Sequence, residues 1–283
     1  MPIVDLHSHS TASDGGLSPA RLVEKAAEAG VTTLALTDHD TLAGIDEARA
    51  AAGSHGVQLI AGLELSVKVK PGSMHLLAYF PGVGAPHIEE HLAEVRRFRV
   101  IRAEEIVDSH AQLGVPVELD DVLARADGAV GRPHLAEALV AAGHVADVQE
   151  AFARWIGDGR PAARPAGGLT PAEAIALVHD AGGAAVLAHP ASLGLGMKKL
   201  GAFVARLAAA GLDGIEVYRA DHAAEQFPRY GALARELGLV ATGGSDFHRP
   251  DGYVGLGQTG DPPLPPTTPD RLLEAATRSA PRA

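Results

Sequence analysis

The chain has 283 residues, 24 Lys and Arg against 35 Asp and Glu for a formal charge of −11, 14 His and no Cys. Without Cys there are no disulfides, thiolate metal ligands or cysteine nucleophile. The acidic balance argues against a long nonspecific grip on nucleic acid, and no run reaches the roughly 18 apolar residues of a membrane span.

The first residues, Met1-Pro2-Ile3-Val4-Asp5, lack the basic and apolar regions of a secretory signal, so a soluble cytoplasmic protein is expected. Short β-branched or apolar runs predict strands over Ile3–His7, Thr32–Thr37, Gln58–Val67 and His75–Phe80, and again over Ala184–Ala188, Gly214–Val217 and Leu239–Thr242. Ala-rich amphipathic stretches lie between most of them. Ser18-Pro19 opens one helix, with Ser as N-cap and Pro in the first turn. Thr170-Pro171-Ala172-Glu173 reads as a capping box. Helices stop at Gly30, Gly56, Gly182 and Gly238, each leading straight toward a strand. Repeated strand–helix units with apolar strands imply a mostly parallel sheet or barrel.

One segment breaks the alternation. From His87 to Arg164 only helical patterns occur: Ile88–Leu113, Leu119–Ala126, His134–Ala142 and Val145–Ile156. It reads as a helical insertion, 87–164, in an α/β body made of 1–86 and 165–283. Gly260–Pro266 is an extended connector before a last short helix.

His and acids collect at strand ends. A single His-x-His pair, such as His7-Ser8-His9, is close to chance expectation in a chain this rich in His. The arrangement recurs, however. Thr37-Asp38-His39-Asp40 ends the second strand, Leu59–Leu63 runs into Glu64, and His75 starts the fourth strand. Ala188-His189-Pro190 ends the fifth and Gly244-Ser245-Asp246-Phe247-His248 follows the last. In a closed parallel barrel, the C-terminal ends of the strands share one face, where barrel active sites lie. Charges stacked there need neutralising, and metal ions do that. Imidazole and carboxylate without thiolate suit Mn, Fe or Zn.

Asp5-Leu6-His7-Ser8-His9-Ser10, Thr37-Asp38-His39, Gly62-Leu63-Glu64, Ala188-His189-Pro190 and Gly244–His248 resemble, in order, the motifs of the PHP (polymerase and histidinol phosphatase) family. The resemblance implies a distorted seven-stranded β/α barrel with two or three divalent metal ions, Mn favoured over Fe or Zn. By the same resemblance His7, His9, Glu64 and Asp246 would hold one metal. Glu64, His75 and His189 would hold a second, with Glu64 bridging, and Asp14, His39 and His248 a third. Gly131-Arg132-Pro133-His134-Leu135-Ala136, Val148–Phe152 and Gly157–Pro161 resemble the insertion of family members acting on nucleotides. Those are 3′,5′-nucleoside bisphosphate phosphatases, some of which trim short RNAs from the 5′ end. Arg132 and His134 would then bind phosphate over the barrel mouth, Arg132 through a planar fork of donors.

The expected activity is metal-dependent phosphohydrolysis, in which metal-activated hydroxide attacks phosphorus in line. Substrates would be small phosphorylated nucleotides such as 3′-phosphoadenosine-5′-phosphate, or short 5′-phosphorylated RNA, but not long nucleic acid. Glu64, Asp246, His189 and Arg132 are expected to carry catalysis. Arg219 and His222, after Glu216-Val217-Tyr218, are further substrate-binding candidates. Lys198 and Lys199 read as a solvated helix start, and Arg96-Arg97-Phe98-Arg99 as a solvated face or a modest contact with a strand. Asp38 or Asp40 could orient a ligand His, although Asp40-Thr41 could also cap the next helix. Phe247 and Trp155 read as packing residues. His55, His87, His91, His110, His144 and His179 read as ordinary surface or core histidines. Alternatives are a histidinol-phosphate phosphatase with the same metals and a different lid, and a metal-dependent nucleotide-binding regulatory module without turnover.

Overall fold

The computed structural model describes residues 2–69, 73–82, 88–126, 128–157, 159–164 and 168–279. His87 and Asp158 lie outside them. Seven strands form one sheet in sequence order: β1 (Ile3–Asp5), β2 (Val31–Leu36), β3 (Gln58–Lys68), β4 (Ser73–Phe80), β5 (Ala184–Leu187), β6 (Gly214–Tyr218) and β7 (Val240–Gly243). The sheet curls into a nearly closed barrel. Between its ends, Leu6 N–H donates to the Gly243 carbonyl at 3.3 Å, and Ser8 bridges Phe247 in parallel.

The strands are parallel except β4, which runs antiparallel to both β3 and β5. This departs from a uniform β/α barrel and matters for the site. The residues that begin β4 lie beside those that end its neighbours, so His75 reaches the same rim as His189.

Helices α1 (Pro19–Glu28) and α2 (Ile45–His55) cover the first strands. Ser18 caps α1 by accepting the Arg21 N–H at 3.4 Å. Gly30 and Gly56 follow these helices at φ +80° and +68°, a left-handed turn that only Gly makes without strain. The N-cap of α2 is Gly44, so Asp40 is not a helix cap.

Between β4 and β5 the chain is helical: α3 (Glu89–Gln112), α4 (Leu119–Leu123), α5 (Arg132–Ala141), α6 (Val148–Ala151) and a π-helical turn, Phe152–Ile156. The last helix begins three residues later than the apolar pattern suggests, because Asp147 caps it by accepting the Glu150 N–H at 2.8 Å. These helices close around their own apolar cluster, including Ile106, Val122, Leu135, Leu139 and Ile156. Burying each such side chain contributes roughly 1.5–3 kcal/mol.

This unit is also tied to the barrel by charge. Arg96 and Arg99 of α3 both reach Asp40: Arg96 donates to its carbonyl at 3.0 Å and Arg99 to its carboxylate. Arg99 also donates to Ser66 Oγ at 2.8 Å. It is a clasp, not part of a solvated face. Helices α7 (Pro171–Asp180), α8 (Met197–Ala209), α9 (Gln226–Glu236) and α10 (Thr268–Ser279) complete the outer layer. The Thr170–Glu173 capping box opens α7, at 2.7 and 2.8 Å. Among the described residues no helix is long and apolar enough to cross a membrane.

Candidate metal centre

The nine residues singled out as ligands converge on one end of the barrel. His7 and His9 sit two apart on the extended chain after β1, so both rings reach the same rim. Their Nε2 atoms are 3.1 Å apart. The chain after β7 packs directly against His7, and Gly244 allows it: a Cβ there would collide with His7. Glu64 lies inside β3 rather than at its end, because the β3–β4 pair extends past the other strands.

Glu64 is the hub. Its Oε1 lies 2.8 Å from His75 Nδ1 and 2.9 Å from His189 Nε2. Its Oε2 lies 3.2 Å from His7 Nε2, 3.1 Å from His9 Nε2 and 3.4 Å from His39 Nδ1. Asp246 Oδ1 faces the first pair from the other side, at 3.2 and 3.3 Å. Asp14 stands further out, 3.4 Å from His248 Nε2 and 3.7 Å from His39 Nε2. Three overlapping donor groups result: His7, His9, Glu64 and Asp246; His39, Glu64 and His75; and His9, Asp14, His39 and His248.

Electrostatics favour a cation here. Burial would raise the carboxyls of Glu64, Asp14 and Asp246, yet the imidazoles facing them outweigh it and hold all three well below the usual range. Burial pushes His39 down to about 3, against the pull of Glu64 and Asp14. Burial also opposes charge on His9, but Asp246 and Glu64 outweigh it and raise the ring to about 10. Buried carboxylates of this density therefore draw positive charge, from protons on His if from nothing else. Nδ1 of His9 and Nδ1 of His39 are buried without a hydrogen-bond partner, which is costly for an imidazole nitrogen. Anionic oxygens and unpartnered ring nitrogens within 4.8 Å of one another fit divalent ions.

A second layer holds these groups. Glu216 in β6 is fully buried and accepts from His7 Nδ1 at 3.0 Å and from the His189 N–H at 2.6 Å. Asp5 accepts from the backbone of His7 and from Ser245. Asp38 accepts from Ser10 and Ser13 and so fixes the turn that carries Asp14. Asp40, His189 and Asp246 are the non-glycine residues with positive φ among the described ones, at 51°, 25° and 55°. Strain of this kind persists where surrounding contacts impose it. Glu216 and Arg99 were not picked out as site residues from the sequence. A lone carboxylate in the apolar run Gly214-Ile215-Glu216-Val217 was the available signal for the first.

The substrate candidates divide. Arg132 opens α5 and lines a cavity of about 200 Å³ over the cluster, with Arg99, Arg102 and Phe152. Its guanidinium lies 5.8 Å from the Phe152 ring centroid. His134 is buried beside it, but its Nδ1 accepts the Gly131 N–H at 3.0 Å and so caps α5. Arg219 faces the site with its donors engaged by Asp221, Glu216 and Asp246 at 2.8–3.3 Å. His222 departs from expectation. It bonds the Val217 carbonyl at 3.0 Å and packs edge-on against Tyr230 and Phe227, because α9 covers it there. Lys198 and Lys199 line separate surface hollows. Phe247 is buried in the core.

Comparison with known proteins agrees with this geometry. The PHP domain model matches residues 5–115. The chain is 39% identical over 257 residues to a 5′-3′ exoribonuclease of Haemophilus influenzae, covering 91% of this chain and 94% of that one. It is 33% identical over 269 residues to a 3′,5′-nucleoside bisphosphate phosphatase of Chromobacterium violaceum, covering 94% of each. A Bifidobacterium adolescentis structure described as a metal-dependent phosphoesterase superposes with a TM-score of 0.84 at 34% identity, over 96% of both chains. With likeness of this extent over one barrel and one rim of His and carboxylate, the chain belongs to the PHP domain family, as a metal-dependent phosphoester hydrolase.

Proposed function

We propose that the chain removes the 3′-phosphate from nucleoside 3′,5′-bisphosphates, 3′-phosphoadenosine-5′-phosphate giving AMP, and trims short 5′-phosphorylated RNA in the 5′→3′ direction. The observation that carries this reading is the cavity in which Arg99, Arg102 and Arg132 stand over the ligand cluster. It offers a second phosphate a place beside the one that reacts, as a bisphosphate requires. The bisphosphatase and exoribonuclease names of the relatives support it.

His7, His9, Glu64 and Asp246 would hold one divalent ion, Glu64, His75 and His189 a second, and Asp14, His39 and His248 a third, with Mn as the working choice. Bound there, divalent ions supply a lowered water pKa and neutralise charge on phosphoryl oxygens. The chain's own groups do the rest. Arg132 presents a planar pair of donors to phosphate oxygens, at the N-terminus of a ten-residue helix whose dipole favours anions. Glu216 accepts from His7 Nδ1 and so orients the ring with Nε2 turned to where an ion shared with Glu64 and Asp246 would sit. Segment 87–164 acts as a lid that brings Arg132 and Phe152 over the rim and narrows access of water. We assign the protein to the cytoplasm, with small phosphorylated compounds rather than long nucleic acid as its partners.

The test is a parallel assay with Mn on 3′-phosphoadenosine-5′-phosphate, 5′-phosphorylated RNA and histidinol phosphate, with Asp246→Asn as control. The nucleotide substrates should be preferred, and the variant should lose both metal and rate. Preference for histidinol phosphate refutes the substrate assignment. Wild-type metal content and rate in the variant refute the site.

A further inference from the structure

Two cavities meet at the ligand cluster, and their walls differ in charge. Beyond ligand residues, the smaller carries Arg99, Arg102 and Arg132. The larger, about 830 Å³, runs between the insertion helices and the 245–254 loop. The two share Asp14, Asp246 and His248 on their floor. The rest of the larger wall holds Glu137, Asp147, Asp221 and Asp251 against Arg219 and Arg249. Arg249 pairs with Glu137, and Arg219 with Asp221 and Asp246, as Arg99 of the smaller cavity pairs with Asp40, so the four carboxylates set the character of the larger wall. Asp147 and Asp251 stand exposed along the path. Tyr253 lines the same groove and is 95% exposed, so its ring is open to a stacking partner.

A nucleoside 3′,5′-bisphosphate and a 5′-phosphorylated RNA begin with the same unit. They differ only in whether the 3′-phosphate carries a further nucleotide. With the 5′-phosphate among the arginines and the 3′-phosphate at the cluster, that further chain needs another opening. The small cavity, about 200 Å³, corresponds to roughly seven waters at ~30 Å³ each, which leaves no room there for a further nucleotide.

Resting on the functional reading above, we infer that the larger groove receives the strand attached to the scissile phosphate, and that Asp147 and Asp251 limit how long that strand can be. In each cycle the water oxygen bonds to phosphorus and the P–O3′ bond breaks. One water proton ends on O3′ and the other is released from the new phosphate. The remaining strand keeps that phosphate as its 5′ end and is a substrate again. With no strand attached, the same step yields inorganic phosphate. The first base beyond the break stacks on Tyr253. Later phosphates pass the two carboxylates and are repelled, by about three-fold in rate for each charge pair some 7 Å apart in water.

The experiment compares kcat/KM for adenosine 3′,5′-bisphosphate and for 5′-phosphorylated RNAs of two, four and eight nucleotides, across a salt series. Wild type should fall off with length, and salt should narrow the gap by screening. The Asp147→Asn/Asp251→Asn double variant, in which Asn can still cap α6, should raise the octamer-to-dimer ratio by about five- to ten-fold. Tyr253→Ala should lower the dimer rate relative to the bisphosphate by about five-fold or more. Length-independent rates, or ratios unchanged in both variants, overturn the groove assignment while leaving the bisphosphatase reading in place. Turnover of neither bisphosphate nor RNA removes both.

Discussion

Glu216→Gln isolates one buried carboxylate that touches two ligands at once. Burial opposes its charge, but His7 and Arg219 outweigh burial and hold it at about 2, so it is anionic in any working buffer. Oε1 accepts from His7 Nδ1 at 3.0 Å. Oε2 accepts from the His189 N–H at 2.6 Å and from Arg219 at 3.3 Å. Both ends must therefore accept, and a Gln accepts at only one. If the amide oxygen serves His189 and Arg219, its NH2 faces His7 Nδ1. The ring then shifts its proton to Nε2, the atom aimed at Glu64 and Asp246. Loss of such an outer partner costs ~10–100-fold in metal affinity, equivalent to about 1.4–2.7 kcal/mol. The mismatched donors also cost about 1–3 kcal/mol of stability. Titrating purified variant and wild type with Mn against a chromophoric chelator reads the affinity. Melting the metal-free proteins reads the stability. A folded variant with wild-type affinity and only a lower melting temperature would show that Glu216 supports the barrel and not the ligand.

Three further outcomes are expected. Arg132→Ala should raise KM for the bisphosphate by about ten-fold or more, consistent with loss of a charge-assisted pair; an unchanged KM places the phosphate elsewhere. Adding a chelator to the metal-loaded protein should lower its melting temperature by roughly 5–10 °C, from about 2.7 kcal/mol of linkage at a hundred-fold excess over Kd; an identical melt argues against a bound ion. Burial holds His110 at about 4, below the ordinary 6.5, and His144 adds to the effect. On acidification the unfolded chain takes up this proton first. The stability contribution is whole above about 6.5 and is lost as pH falls toward 4. Denaturant midpoints of His110→Leu should therefore fall less than wild type between pH 7 and pH 5, and parallel curves would refute this.

The strands were legible in the sequence because each is a short apolar run bounded by turn residues. Every predicted strand coincides with an observed one to within two residues at either end. Helix ends set by local chemistry were equally legible, as at Ser18 and Thr170, where the capping atoms lie a few residues away. His7, His9, His39, Glu64, His75, His189, Asp246 and His248 stood out near strand ends against an apolar background, whereas Asp14 and the grouping into ligand sets came from the resemblance to the PHP motifs. The sequence alone thus determined the alternation of elements and the residue types at the rim.

Tertiary structure decided whatever depends on partners distant in the chain. Strand direction is one case: nothing local in Ser73–Phe80 states that it runs antiparallel, yet that direction brings His75 to Glu64. The charged side chains are another. In sequence Arg219 and His222 look alike as polar groups near a mouth, and Arg99 looks like part of a solvated face. A clasp on Asp40, a brace on Asp246 and a place under α9 separate them. A buried charge is defined by what neutralises it, and for these residues the neutralising group lies in another element of the fold.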